Sequence, residues 1–250
     1  MTYQSLEIYA KMKFTSIDNL LKEINKTQKM ISGILVVIEM YKTIIDPNND
    51  LKDDERVKQF AEYLDFSEER IEAIYELGFI RLFAAFESFM YDYLKELYLL
   101  YPNSLPSDRK IDIGSLWSLH TQADVREFIV DQIAIEHSYE INVWENTLKN
   151  TFGIETFKDK DQKKGLLTLN LYRNMSMHAG GKFNSKTFRD IRKIVFGNKK
   201  KYDSTDNYNF STHKIEVKHK LKFQHLFRTI EAIILHLNKV SPKPVANNME

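Results

Sequence analysis

Residues 80–100 read IRLFAAFESFMYDYLKELYLL. Apolar and aromatic side chains recur on nearly every side of a helix drawn through this run, and neither Gly nor Pro interrupts it, so it predicts the central, most enclosed helix of a bundle. The helix begins at Ser67, an N-cap followed by the acidic first-turn residues Glu68 and Glu69. Pro102 and Pro106 end it near Tyr101.

The flanks carry the same periodicity. Upstream, Ile17, Leu20, Leu21, Ile24, Met30, Ile31, Ile34, Leu35 and Ile38 fall on an amphipathic helix that starts at Ser16 and ends before Asp46-Pro47. A charged second element spans residues 51–64. Downstream, Trp117, Val125, Phe128, Ile129, Ile133 and Ile135 mark one or two further helices, and a polar connector at 158–164 leads into the next. The chain closes on a helix from about Lys222 to Val240, with Phe223, Leu226, Phe227, Ile230, Ile233, Ile234 and Leu237 on its core side. Before it, Lys214-Ile215-Glu216-Val217-Lys218 alternates with the period of a strand, which predicts a small β-hairpin turning at residues 204–209. The expected fold is mainly α: residues 1–66 an acidic helical extension packed on the core, residues 67–240 a helical domain with inserted helices at about 108–150, and residues 241–250 a disordered tail.

Composition narrows the chemistry. With 8 Gly and 5 Pro in 250 residues, few positions force turns. The absence of cysteine removes disulfides, thiolate catalysis and sulfur-based zinc sites. No stretch has the length and apolarity of a membrane span, and the N-terminus lacks the pattern of a signal peptide, so a soluble cytoplasmic protein without membrane association is expected. Gly-rich phosphate loops, a Gly-x-Ser-x-Gly elbow and carboxylate-rich metal clusters do not occur, which disfavours nucleotide hydrolysis and two-metal nuclease chemistry.

The net charge of +1 conceals a division. Residues 1–150 hold 16 Lys+Arg against 26 Asp+Glu, a balance of −10, whereas residues 151–250 hold 20 against 9, a balance of +11. The basic part suits a polyanion, because Lys and Arg that neutralise phosphates release counterions, or alternatively docks on the acidic part of this chain or of a second copy.

Inside the basic part lies Arg173-Asn174-Met175-Ser176-Met177-His178, followed by Ala179-Gly180-Gly181. On a helix, Leu167, Leu171, Asn174 and His178 share one stripe, and Arg173 stands about 140° around from His178. The arginine stem must therefore curl back, or Arg173 and His178 meet across a subunit boundary. Gly180 or Gly181 supplies the left-handed cap residue, and the exposed carbonyls of that last turn favour the imidazolium form of His178. In RNA the 2′-hydroxyl is tethered beside its phosphate, so cleavage requires proton transfer and cations on the crowded phosphorane and no metal. His178 fits the proton transfer, Arg173 a two-oxygen grip on the phosphate, and Asn174 the orientation of either. A helix-end histidine that complements the helix dipole, beside an arginine in a surface ion pair, is the plainer alternative.

The run LYRNMSMHAGGKFN resembles the Arg-x4-6-His signature of the HEPN superfamily (higher eukaryote and prokaryote nucleotide-binding domains), especially its prokaryotic ribonuclease-like branches. The segment FIRLFAAFESFMYDYL is similar to the early core helix of those families. The resemblance covers mainly residues 67–101 and 163–240. It implies a helical bundle that dimerises so that two motifs converge in one cleft, and a metal-independent endoribonuclease leaving cyclic phosphate ends, with Arg173 and His178 catalytic and Asn174 assisting. Members act as toxins or in phage defence, which implies an antitoxin or other regulatory protein as a further partner. A non-catalytic module of this fold, binding RNA, a nucleotide or a protein partner, is the alternative.

Glu87 is the one carboxylate in the apolar run 82–90, and Arg173 would be a fitting partner, as would Arg81 or another core cation. Lys182 and Lys199-Lys200-Lys201 are candidates to contact a phosphate backbone, with a solvated turn as the plainer reading of the three-lysine run. His219 and His225 lack the i, i+4 spacing of a paired metal site, so neither metal nor cofactor is expected.

Overall fold

In the computed structural model the residues described are 14–44, 54–56, 59, 67–106, 113–116, 119, 121–178, 189–190, 193–194 and 219–243. Among them the chain is mainly helical, with α1 at Thr15–Ile44, α2 at Glu68–Leu100, α3 at Ile113–Leu116, α4 at Gln122–Ser138, α5 at Ile141–Phe152, α6 at Lys160–His178 and α7 at His219–Leu237. A 3-10 turn at Pro102–Ser104 follows α2, where Pro102 removes the backbone donor needed to continue it. The expected β-hairpin and the residues around Gly180-Gly181 lie outside the described residues.

The chain divides into two compact units. The first comprises residues 1–21, 84–163 and 229–250, the second residues 22–83 and 164–228.

In the first unit the core is aromatic. Phe86, Phe89 and Tyr93, spaced three and four apart on α2, are all buried, and the fully enclosed Trp144 of α5 meets Phe86 and Phe89 edge-on at 5.9 and 6.1 Å. Such pairs add about 0.5–1.5 kcal/mol to area burial because ring edges and faces carry opposite partial charge. Ile133 and Ala134 of α4 and Ile230, Ile233 and Ile234 of α7 complete the core. Polar contacts set the register between α2 and α4: Tyr91 donates to Asp131 at 2.6 Å, Lys95 pairs with Asp131 at 2.7 Å and with Glu127 at 3.0 Å, and the Tyr98 hydroxyl meets His137 Nδ1 at 2.7 Å. These carboxylates hold the Lys95 ammonium above its ordinary range, Asp131 foremost. Glu96 captures the start of α1, accepting from Ser16 N at 3.0 Å and Ser16 Oγ at 2.8 Å, so the first-turn donors of that helix are met by a side chain from α2.

Two helix ends in this unit have clear local causes. Thr121 and Asp124 form a reciprocal capping box at the start of α4. Gly153 ends α5 in the left-handed conformation at φ 64°, its N–H on Lys149 O at 3.1 Å and that of Ile154 on Leu148 O at 2.9 Å. A Cβ at this position would stand 3.0 Å from Lys243 O. Gly153→Ala is therefore expected to destabilise the protein by about 1 kcal/mol or more, measured by denaturant unfolding, and an unchanged midpoint would contradict this account of the cap.

In the second unit Ile24, Ile31 and Ile38 of α1, seven residues apart, are buried, and so are Tyr75, Phe79, Leu82 and Phe83 of α2. Gly78 marks a close approach, since a Cβ there would overlap Ile31 Cδ1 and stand 3.3 Å from the ring of Phe223. Arg81 reaches α1, pairing with Glu23 at 3.0 Å and donating to Thr27 at 3.3 Å. Met30, inward by spacing, is 41% exposed, because Ile31 takes the place against α2.

Candidate functional site

Helix α6 carries the Arg173–His178 motif at its C-terminal end. Asp159 caps its start, accepting from Gln162 N at 2.8 Å, and Lys163 pairs with Glu145. The helix departs from the single inward stripe that spacing suggests. Leu167, Leu171 and Asn174 are half-buried, while Leu166, Leu169 and Met175 are enclosed. The reason is tertiary, for α6 is approached from more than one side. At Gly165 a Cβ would stand 3.3 Å from His225 Nε2 of α7, and near the other end α2 and α7 each supply a contact.

Arg173 lies seven residues after Leu166 and so shares its side of the helix. Its guanidinium sits over the ring of Phe83, 5.6 Å from the centroid, a cation–π arrangement that lets a charged group occupy a half-buried position. From there Nη1 donates to Asn174 Oδ1 at 2.7 Å. The long stem thus bends toward the side of the helix that Asn174 occupies, and the side chains of Arg173 and Asn174 meet although their Cα atoms point about 100° apart. His178 is the last residue of α6, and its side chain is outside the described set, as are Lys182 and Lys199, Lys200 and Lys201. Glu87 is half-buried and belongs to the first unit, whereas Arg173 belongs to the second. Arg81, one suggested partner for Glu87, is bound to Glu23 and Thr27.

A further pair flanks α6. Lys222 of α7 places its Nζ 3.4 Å from the centroid of the Tyr172 ring, and that nitrogen is shut off from solvent with no hydrogen-bond acceptor among the described residues. Burial pulls the Lys222 ammonium down to about 8, against the opposing pull of Glu72 and Glu76. Burial likewise pushes the Tyr172 hydroxyl up. Glu72 accepts the backbone N–H of His219 in the first turn of α7, and the Lys220 ammonium stands 6.0 Å from the ring centroid of Tyr75. Phe83, Tyr172 and Lys222 were not evident as site residues from spacing. For Lys222 a signal exists: it lies four and eight residues before the buried Leu226 and Ile230, on a stripe where an ammonium is out of place.

That misfit has a thermodynamic consequence. The folded-state pKa of Lys222 lies below the unfolded-state value, so between about pH 8 and pH 10.5 the unfolded chain binds more protons, and stability rises as pH rises through this window. Below about pH 8 the full penalty applies. Lys222→Met is expected to raise the melting temperature at neutral pH, with the difference from the parent shrinking toward pH 10. A variant less stable than the parent at pH 7 would overturn this sign.

Among the described residues no group of three or more His, Asp or Glu side chains is placed to hold a metal ion, and no helix is long and apolar enough to cross a membrane. Comparison of the chain with protein-family models, with curated proteins and with solved structures finds no match.

Proposed function

We propose that this protein is a metal-independent endoribonuclease of the HEPN type, cleaving single-stranded RNA at a site that two copies of the chain build together. The observation that carries the reading is the meeting of Arg173 and Asn174 at the C-terminal end of α6, on the helix whose last residue is His178. Arg173 presents a planar fork of donors suited to two non-bridging phosphate oxygens. Asn174 already occupies one of its donors and so fixes the plane of the guanidinium.

The reaction divides as follows. The 2′-oxygen attacks the adjacent phosphorus while its proton passes to an imidazole. The bond from phosphorus to the 5′-oxygen breaks, and that oxygen takes a proton, leaving a 2′,3′-cyclic phosphate and a 5′-hydroxyl. His178 carries the proton, and Arg173 balances charge on the phosphorane. Arg173 bends toward the Asn174 side of α6, the side that spacing also gives to His178, so the two-chain form rests on the resemblance, which implies two motifs in one cleft, with Arg173 of one protomer acting with His178 of its partner. Toxin or phage-defence action, and restraint by an antitoxin or other regulatory protein, belong to the same reading, as does a location in the cytoplasm.

The purified protein incubated with single-stranded RNA in EDTA is expected to cleave it and to have the solution mass of a dimer. RNA left intact across varied sequences would overturn the reading, and a strict monomer that cleaves would overturn its two-chain form. A second reading has its own observation. The guanidinium of Arg173 is seated on Phe83 and tied to Asn174, so the motif also serves as packing in a non-catalytic module that binds RNA, a nucleotide or a protein.

A further inference from the structure

Lys222 places a charged amine where a helix of this kind ordinarily carries an apolar side chain. Its Nζ has no hydrogen-bond acceptor among the described residues, and the Tyr172 ring 3.4 Å away offers an electron-rich face in place of an oxygen. Among the described residues, the charged and titratable groups that face it are Glu72 and Glu76 from α2 and Tyr172 from α6. Its own helix adds Lys220, two residues before, with His219 and His225 three residues to either side. Glu72 is already engaged by the His219 N–H. An uncompensated ammonium costs the folded state stability, and residues that do so beside a candidate site are more readily explained by ligand binding than by packing.

What the amine lacks is an oxygen acceptor. Lys222 as a whole is half-buried, so rotation of its four-carbon stem carries the ammonium off the ring without opening the core. Tyr172 immediately precedes Arg173 on α6, which puts Lys222 beside the helix that carries the proposed phosphate grip. We propose that Lys222 is an oxyanion-binding residue of the Arg173 site, its ammonium leaving the Tyr172 ring to take up a phosphodiester oxygen of single-stranded RNA. The face of the ring that the ammonium leaves becomes a stacking surface for an adjoining base. This inference rests on the reading of the chain as RNA-binding, and it adds a residue that the Arg-x4-His motif does not contain.

Binding of this kind has a proton signature. The free amine titrates near pH 8, and a phosphate oxygen favours its charged form, so affinity falls as pH rises from 7 to 9. The test uses a short single-stranded 2′-O-methyl oligoribonucleotide, which lacks the attacking hydroxyl, with affinity followed by fluorescence anisotropy against pH and salt. The parent is expected to bind several-fold more weakly at pH 9 than at pH 7. Lys222→Met should weaken binding at pH 7 by about 5- to 10-fold, abolish the pH step and lower the salt slope by roughly one. Lys222→Arg, which stays charged, should retain binding at pH 9. Removal of an unpaired ammonium does not threaten folding, so Lys222→Met remains interpretable. Equal affinity and equal pH dependence in parent and Lys222→Met, or no binding by the parent, would overturn the inference. Cleavage of the unmodified strand is scored separately: a parent that binds through Lys222 and never cleaves removes the ribonuclease reading and leaves this one standing.

Discussion

Arg173→Ala and His178→Ala are each expected to lower the rate of RNA cleavage in EDTA by at least about 100-fold while leaving the fold intact. Proton transfer by a positioned side chain is worth about 10²- to 10⁴-fold, and loss of a cation on a phosphorane costs as much. The two losses should not add, because in the proposed reaction both residues act on one transition state. Arg173 is half-buried over Phe83, so its removal also opens a gap at that ring. Arg173→Lys separates the effects: it keeps the charge and loses the planar fork, and is expected to stay folded with cleavage still strongly reduced. Circular dichroism and melting temperature check the first half of the claim, and initial rates on a labelled strand check the second. Variants that cleave as fast as the parent would move the chemistry away from α6.

The second large effect lies in the first unit. Trp144→Ala is expected to destabilise the protein by about 3–5 kcal/mol, since the indole is fully enclosed and its removal deletes ring contacts with both Phe86 and Phe89. For a chain of this length that corresponds to a fall of roughly 10 °C in melting temperature. The indole N–H has no acceptor among the described residues, so Trp144→Phe, which keeps much of the volume and removes the orphaned donor, should cost far less. If Trp144→Phe were as damaging as Trp144→Ala, ring packing would not be the main term.

Most of the helical frame was legible in local chemistry. Ser67 with Glu68 and Glu69, and the prolines at 102 and 106, bound the central helix to within a residue of its observed Glu68–Leu100 span. The C-terminal helix was legible by its core side, where Phe223, Leu226, Ile230, Ile233, Ile234 and Leu237 are enclosed and Phe227 is half-buried, but its span of His219–Leu237 lies three residues before the expected Lys222 to Val240 at each end. The separation of α4 from α5 was not, since the break at Tyr139 and Glu140 contains neither Gly nor Pro. Trp144 consequently went unmarked although it occupies the centre of an aromatic cluster. At the site, the positions of Arg173, Asn174 and His178 on one helix followed from spacing. The seating of Arg173 on Phe83 and of Lys222 on Tyr172 did not, because a long side chain can place its charge several ångströms from the direction of its Cβ. Which ring receives it depends on a helix distant in sequence.

The end chemistry of the cleaved RNA tests the central claim most directly. Single-stranded RNA incubated with the parent in EDTA, then analysed for product termini, should carry 2′,3′-cyclic phosphates and 5′-hydroxyls, as attack by the tethered 2′-oxygen requires. Intact RNA, or fragments with 5′-phosphates that form only when a divalent metal is supplied, would contradict an Arg173 and His178 mechanism.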